Sequence, residues 1–157
     1  MDRLSNPRAT RILGHHRLEA GILVRSLSED AVARGFDSRS TSYRITESYD
    51  VQSAQEGAYV QDSWTGLGDR LTLTLGGRLD RFEETREIRV LPRASLTWEV
   101  SEKTKLLAAF EEYAQFPGFE ELFGREGNPD LRAERAAHYL LGVEHSLGTS
   151  ARHTIRI

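Results

Sequence analysis

Histidines and paired carboxylates are the side chains of this sequence that are best suited to chemistry. Imidazole is a common metal ligand, and His15 and His16 are adjacent. Neighbouring residues of a strand point to opposite faces, however, and would chelate one ion poorly. Two carboxylates at a fixed separation can hydrolyse a glycosidic bond. The paired glutamates are Glu83-Glu84, Glu111-Glu112 and Glu120-Glu121. Adjacent residues do not fix that separation, so we interpret both sets as solvated polar groups.

The sequence carries no motif for nucleophilic catalysis or phosphate binding. No serine lies in a nucleophile elbow, and the glycines lack phosphate-cradling spacing before a helix. There is no cysteine, which excludes a disulfide framework and a thiolate metal site. The sequence therefore predicts a protein that is not an enzyme, with no metal site and no cofactor.

Composition narrows the class of protein further. The chain has 157 residues, a formal net charge of -3 and no basic block, so no nucleic-acid surface is predicted. Hydrophobic residues make up 38% and the mean hydropathy is -0.51. No apolar run approaches the length of a membrane helix. A transmembrane β-barrel is still compatible, because its strands alternate apolar and polar residues.

Strands are the elements that must position any site. Alternation is clearest in Arg70 to Phe82, where Leu71, Leu73, Leu75 and Leu79 point one way and Thr72, Thr74, Arg78 and Asp80 the other. About seven strands are predicted after Arg3–Ile12, which reads as the tail of a strand, and the last of them is incomplete. The segments that read as strands are Arg3–Ile12, Arg17–Leu27, Tyr49–Trp64, Arg70–Phe82, Arg93–Val100, Thr104–Tyr113, Ala136–Leu147 and Arg152–Ile157.

The connections between these strands alternate in length. The longer ones are Ser28–Thr46, which has room for strand extensions around Tyr43 and Ile45, Glu83–Leu91 and Ala114–Arg135. The short ones are Thr65–Asp69, Ser101–Lys103 and Gly148–Ser150. Outer-membrane barrels have short periplasmic turns and long extracellular loops. Pattern alone does not separate such a barrel from a soluble β-sheet domain.

The stretch from Phe116 to Glu134 reads as a long ordered loop. Pro117 and Gly118 end the preceding strand, and Asn128 begins a second turn because it precedes a proline. The aromatic residues Phe116, Phe119 and Phe123 either contact a ligand or hold the loop against the sheet. Long ordered loops are usually functional.

Several motifs, taken in order from Gly57 to Gly148, resemble the barrel of TonB-dependent outer-membrane receptors. Within the long stretch they are Gln115-Phe116-Pro117, Glu120-Glu121-Leu122-Phe123, and Gly127-Asn128-Pro129-Asp130-Leu131 with Glu134. Outside it they are Ala58-Tyr59-Val60-Gln61-Asp62-Ser63-Trp64, Leu73-Thr74-Leu75-Gly76-Gly77-Arg78-Leu79-Asp80, Pro92-Arg93-Ala94-Ser95-Leu96 and Tyr139-Leu140-Leu141-Gly142-Val143-Glu144.

The resemblance implies an all-β fold, an antiparallel transmembrane β-barrel of which this chain is an incomplete part. It implies a place in the bacterial outer membrane and uptake of a scarce nutrient, usually a ferric siderophore, driven through TonB. Residues 1–157 then form a fragment of the barrel domain. The N-terminus has no signal-peptide pattern, so we expect the signal and the plug domain to lie elsewhere. About seven strands cannot close a barrel of about 22.

Under this resemblance, the residues expected to contact the substrate lie in the predicted extracellular loops. They are Phe119, Phe123, Arg125 and Asn128, with Tyr43 and Arg39 as weaker candidates. The resemblance implies further partners in outer-membrane lipid and in TonB, which acts through the absent plug.

Haem receptors of this family carry a histidine in the long loop, where imidazole can ligate the iron. Phe116 to Leu131 has none, and the nearest, His138, lies beyond it, so a siderophore or similar chelate is favoured.

Two other functions remain open at this point. One is a small β-barrel or β-sheet protein with a structural, lipid-binding or ligand-binding role. The other is a hydrolytic outer-membrane barrel, for which the sequence offers no active site.

Overall fold

The computed structural model describes residues 3–37, 39, 41–146 and 152–156. They form one antiparallel sheet of nine strands. The strands are β1 Arg3–Ser5, β2 Arg8–Leu13, β3 His16–Asp37, β4 Ser42–Gly66, β5 Leu71–Phe82, β6 Glu87–Ser101, β7 Thr104–Gln115, β8 Glu134–Ser146 and β9 Arg152–Arg156. A short helix, α1 Phe119–Phe123, lies between β7 and β8.

Among the described residues, no helix has the length and apolar character needed to cross a membrane.

Each long strand pairs with the next strand in the sequence, so the sheet is a meander of hairpins. The predicted strand Arg3–Ile12 is divided. Asn6 and Pro7 separate β1 from β2, and both pieces pair with successive parts of β3. Proline has no backbone N–H group to donate to the neighbouring strand, which explains the interruption. The all-β antiparallel prediction is confirmed, with nine strands instead of about seven.

The prediction of a long loop at Ser28–Thr46 is wrong. The segment belongs to a hairpin of two strands of 22 and 25 residues, paired from His16↔Trp64 to Asp37↔Ser42. The expected extensions at Tyr43 and Ile45 are present. Both faces of this ribbon carry polar residues, so the apolar alternation that marks a half-buried strand is missing. The backbone ladder nonetheless continues, with one register shift at Ala33/Arg34.

Two further boundaries differ from the prediction. Only residues 83–86 separate β5 from β6, so most of the expected loop Glu83–Leu91 is strand. β8 begins at Glu134 rather than at Ala136. The short connections at Thr65–Asp69 and Ser101–Lys103 are present, as turns between β4 and β5 and between β6 and β7. The predicted turn Gly148–Ser150 lies outside the described residues.

The two faces of the sheet differ in character. Cross-strand partners share a face, so the register defines an outer face that contains Leu18, Asp62 and Leu75 in one row. Large apolar side chains of this face are exposed. They include Ile22, Val24, Val60, Leu75, Leu79, Val90, Trp98, Tyr139, Leu141 and Val143. Of the predicted leucine face of β5, Leu75 and Leu79 are exposed and Leu71 and Leu73 are half-buried, and the small buried core lies on the opposite, inner face.

Candidate functional site

The inner face of the sheet is concave and polar. Side chains from five consecutive strands, β3 to β7, line one open cavity of about 380 Å³. Its charged members are Glu19, Arg78, Asp80, Arg93, Glu111 and Glu112. Opposite charges that face one cavity can bind a polar ligand or water. A packed apolar core would not contain so many charged side chains.

Tyr59 is the centre of one half of this cavity. Its hydroxyl donates to Glu19 Oε1 at 3.2 Å, and the guanidinium carbon of Arg93 lies 5.7 Å from its ring centroid, within the range of a cation–π contact. A side chain at Gly21 would come within 2.5 Å of the tyrosine ring. Glycine at this position therefore lets the ring lie flat across β3.

Arg78 and Asp80 form the other half. Arg78 Nε donates to Asp80 Oδ1 at 2.6 Å, and the two side chains are 44% and 13% exposed. Both residues sit on the inner face of β5, two positions apart. Pairing with an arginine offsets the cost of holding a carboxylate so far from solvent. The ion pair thus keeps the wall polar while fixing both side chains.

An aromatic cluster closes one end of the concave face. Phe82, at the end of β5, is 1% exposed, and its ring centroid lies 5.4 Å from Phe116 and 6.3 Å from Phe119. Leu122 is 3% exposed within the same cluster. Leu27, Tyr49 and Val51 pack against it from the long hairpin. Residues 116–133 are therefore held against the inner side of three strands.

Polar contacts fix the rest of this loop. Glu121 Oε2 accepts from the Gly118 amide at 2.8 Å, which closes the first turn of α1. Asn128 Oδ1 accepts from the amide of Asp130 at 3.0 Å and makes the second predicted turn. At the exit, the Ala133 amide donates to Glu87 Oε2 on β6 at 2.7 Å. The loop is ordered, as the sequence predicted, because both ends and the middle are bound.

The predicted contact residues fall into two separate groups. Phe119 is 6% exposed and packs in the aromatic cluster, whereas Phe123 is 37% exposed. Arg125 and Asn128 are exposed on the same loop. The burial of Phe119 favours the second of the two roles considered for the aromatic residues, holding the loop against the sheet. Contact of these residues with a substrate stays a prediction.

The other two candidates lie at the tip of the β3–β4 hairpin. Arg39 is exposed at the turn, and Tyr43 is 72% exposed with its ring centroid 5.3 Å from that of Phe36. Tyr43 and Val51 are eight residues apart on β4, a rise of roughly 26 Å. The hairpin therefore holds Tyr43 and Arg39 well beyond the aromatic cluster.

Sequence reasoning missed a small cleft between the loop and the long hairpin. It has a volume of about 240 Å³, and Arg25, Glu29 and Gln55 line it together with Phe116 and the segment 117–119. The interpretation of residues 28–46 as a loop hid this cleft. Arg25 and Leu27 are alternate residues that face inward, and Glu29 continues this alternation beyond Ser28. That pattern is the signal that β3 continues here.

The histidines occupy different places. His138 pairs in register with Glu111 on the inner face, and its ring centroid lies 4.7 Å from that of Tyr113. His16 Nδ1 lies 2.6 Å from Asp62 Oδ2 on the outer face. Among the described residues, no group of three or more His, Cys, Asp or Glu is arranged to hold a metal ion.

Comparison with known proteins gives one family and several similar structures. Residues 4–154 match the family described as TonB dependent receptor-like, beta-barrel. No curated protein sequence matches. A structure of the ferric enterobactin receptor PfeA in complex with BCV-L6 is 17% identical, with a TM-score of 0.77, over 94% of this chain and 25% of that one.

Two other solved structures have the same fold over most of the chain. The copper transporter OprC is 18% identical, with a TM-score of 0.68, over 92% of this chain and 28% of that one. OmpT, an outer membrane protein of Vibrio cholerae, is 15% identical, with a TM-score of 0.56, over 96% of this chain and 42% of that one. The chain thus spans about a quarter of the PfeA and OprC structures.

Proposed function

The chain belongs to the TonB-dependent receptor-like β-barrel family, and on that premise we propose that it forms part of the barrel wall of a nutrient receptor. The family places it in the bacterial outer membrane, among receptors and transporters rather than enzymes. The complete receptor, of which this chain is a segment, takes up a scarce nutrient with energy delivered through TonB.

The contrast between the two sheet faces carries this proposal. Exposed apolar side chains such as Leu75 and Leu141 cover the outer face, and ionisable side chains such as Arg78 and Glu111 line the concave inner face. In water the outer face would be an aggregation liability. In a large barrel the same arrangement places apolar residues against lipid and polar residues around a lumen.

The open edges support the view that more strands belong to the barrel. Among the described residues, β9 pairs only with β8, and β1 and β2 pair only with β3. Unpaired backbone groups are not tolerated in hydrocarbon, and plugged transporter barrels have about 22 strands. We propose that the remaining strands, the plug domain and the export signal are encoded outside this segment.

The hairpin lengths support an assignment of sides. The β3–β4 tip, the turn 83–86 and the loop 116–133 lie at one end of the sheet, and the two-residue turn after Leu13 lies at the other. Long connections of outer-membrane barrels are extracellular. The loop and the hairpin tip therefore face the outside in our proposal, where Phe123, Arg125 and Tyr43 are available to a substrate.

A ferric siderophore or similar chelate is the substrate class that we propose. Exposed arginine and aromatic side chains, which this end of the sheet offers, suit an anionic and partly apolar chelate. A bare copper(I) ion would favour soft sulfur ligands, and this segment has no cysteine and one methionine. His138 packs against Tyr113 in the wall and does not lie in the exposed loop, which does not favour an axial haem ligand.

Growth under iron limitation tests this proposal directly. A strain that depends on the complete receptor is grown in iron-limited medium with haem or with each of a panel of ferric siderophores as the iron source. Growth in copper-limited medium is measured as a separate condition. We expect growth on at least one siderophore, reduced by Arg125→Ala combined with Phe123→Ala. Growth on haem alone that is abolished by His138→Ala would contradict the substrate class.

A further inference from the structure

An acid–histidine pair lies within the apolar outer face. Asp62 has Leu18 and Leu75 as its register partners on either side. Its Oδ2 lies 2.6 Å from Nδ1 of His16, and the two side chains are 39% and 53% exposed. Trp64 is the next outward residue of β4. It lies near the end of the strand that is followed by the short turn to β5. Ionisable groups at such positions are expensive and usually functional.

The other oxygen of this carboxylate is not satisfied by the protein. Asp62 Oδ1 is buried and has no hydrogen-bond partner among the described residues. A buried acceptor without a donor costs about 1–3 kcal/mol, and more if it is charged. The Asp62 side chain as a whole is 39% exposed, so a group from outside the protein can approach its carboxylate. On a lipid-facing surface, a lipid headgroup can supply a donor to this carboxylate.

A positive charge lies in the same row. Arg11 pairs in register with Leu18, which pairs with Asp62, so the three residues follow one another across β2, β3 and β4. The spacing of strands puts the Cα atoms of Arg11 and Asp62 about 10 Å apart. Arg11 is exposed, and a long arginine side chain can reach along an apolar surface to the headgroup level. The row therefore presents an anion and a cation to the lipid.

We propose that Asp62, His16 and Arg11 bind the headgroup of a phospholipid that carries both a phosphate and a primary ammonium group. The ammonium group donates to the Asp62 carboxylate, and Arg11 binds the phosphate. His16 positions the carboxylate through its Nδ1 contact. Trp64 is the register partner of His16, and aromatic side chains are enriched at the headgroup level. This inference rests on the proposed function, because it requires the outer face to contact lipid.

Quenching of Trp64 by brominated phospholipids tests the site. The receptor encoded by the complete reading frame is reconstituted with brominated lipids that carry ethanolamine, choline or glycerol headgroups. The Trp64 signal is taken as the difference between the wild type and Trp64→Phe. Choline has the charge of ethanolamine but no N–H donor. We expect ethanolamine lipid to bind roughly two- to fivefold more tightly than choline lipid, the range of an exposed ion pair.

Two substitutions separate the roles of the charges. Asp62→Asn should remove the preference for ethanolamine lipid, whereas Arg11→Gln should weaken all three lipids. Glu56→Gln is the matched control, because Glu56 is an outward carboxylate that already accepts from Arg81 at 3.2 Å. It should leave the preference unchanged. Far-UV circular dichroism confirms that each variant keeps its strands.

The possible failures can be told apart. If the three lipids quench Trp64 equally in the wild type, or if Asp62→Asn keeps the preference, the headgroup site is wrong and the lipid-facing surface stands. If no brominated lipid quenches Trp64, the outer face does not contact lipid, and the proposed function fails with the site.

Discussion

Phe82, at the end of β5, and Phe119, the first residue of α1, pack with their ring centroids 6.3 Å apart, and both are almost fully buried. They form the buried part of the contact that holds the long loop to the sheet. A strand residue and a loop residue 37 positions apart thus help to fix the conformation of the loop.

Phe82→Ala should release the loop while the strands stay intact. Removing a buried phenylalanine costs about 3–5 kcal/mol, and here the loss falls on the loop, a local unit that can open on its own. Limited trypsin digestion of the complete receptor should then cleave faster after Arg125 and Arg132. Phe123→Ala is the control, because Phe123 is 37% exposed and its loss should change the rate little. Equal cleavage of the two variants would contradict the anchoring role.

Leu75→Arg should destabilise the receptor in lipid. Leu75 is an outward residue of β5, and an arginine on the lipid-facing surface costs up to roughly 2–4 kcal/mol at the bilayer midplane and less toward the interfaces. Refolding of the complete receptor into vesicles in a denaturant series measures the change. Ser95→Arg is the comparison, since Ser95 faces inward opposite Thr74 and should be tolerated. An unchanged free energy of unfolding for Leu75→Arg would reverse the assignment of faces.

Single cysteines at the two ends of the sheet should label from opposite sides. Leu67 is 65% exposed in the β4–β5 turn, and Arg125 is exposed in the long loop. They are better sites than the neighbouring glycines, because a side chain at Gly66 would overlap the ring of Trp64. On intact cells, an impermeant thiol reagent should label Arg125→Cys and not Leu67→Cys. The opposite pattern would invert the proposed topology.

Gly76→Ala should destabilise the sheet, and Gly77→Ala should not. A methyl group at Gly76 would lie 2.7 Å from Gln61 Cβ and 2.8 Å from Val60 O on β4, whereas at Gly77 it would meet only Leu91 O at 3.9 Å. Overpacking of this kind costs about 1–3 kcal/mol. Urea unfolding of the paired variants in the same lipid measures the difference. Similar midpoints for both would show that β4 and β5 can separate without cost.

The sequence by itself determined the strands whose two faces differ in polarity. In β5 the leucines alternate with threonine, arginine and aspartate, and strand pairing keeps the leucines on one face, where Leu75 and Leu79 are exposed. The loop 116–133 was also recognisable, because Pro117 and Asn128-Pro129 break strands for local steric reasons. Such signals need only neighbouring residues, so they survive without any knowledge of the fold.

The tertiary structure alone decided the conformation of segments whose two faces are both polar. It also decided which residues distant in the sequence contact each other. Residues 28–46 show little alternation, yet the ladder between β3 and β4 continues because each strand satisfies the other's backbone groups. The role of Phe119 was open in the sequence. It was decided by Phe82 and by the hairpin residues Leu27 and Val51, which only strand pairing brings to the same place. The contact of Asp62 with His16 likewise joins residues 46 positions apart, and no local pattern specifies it.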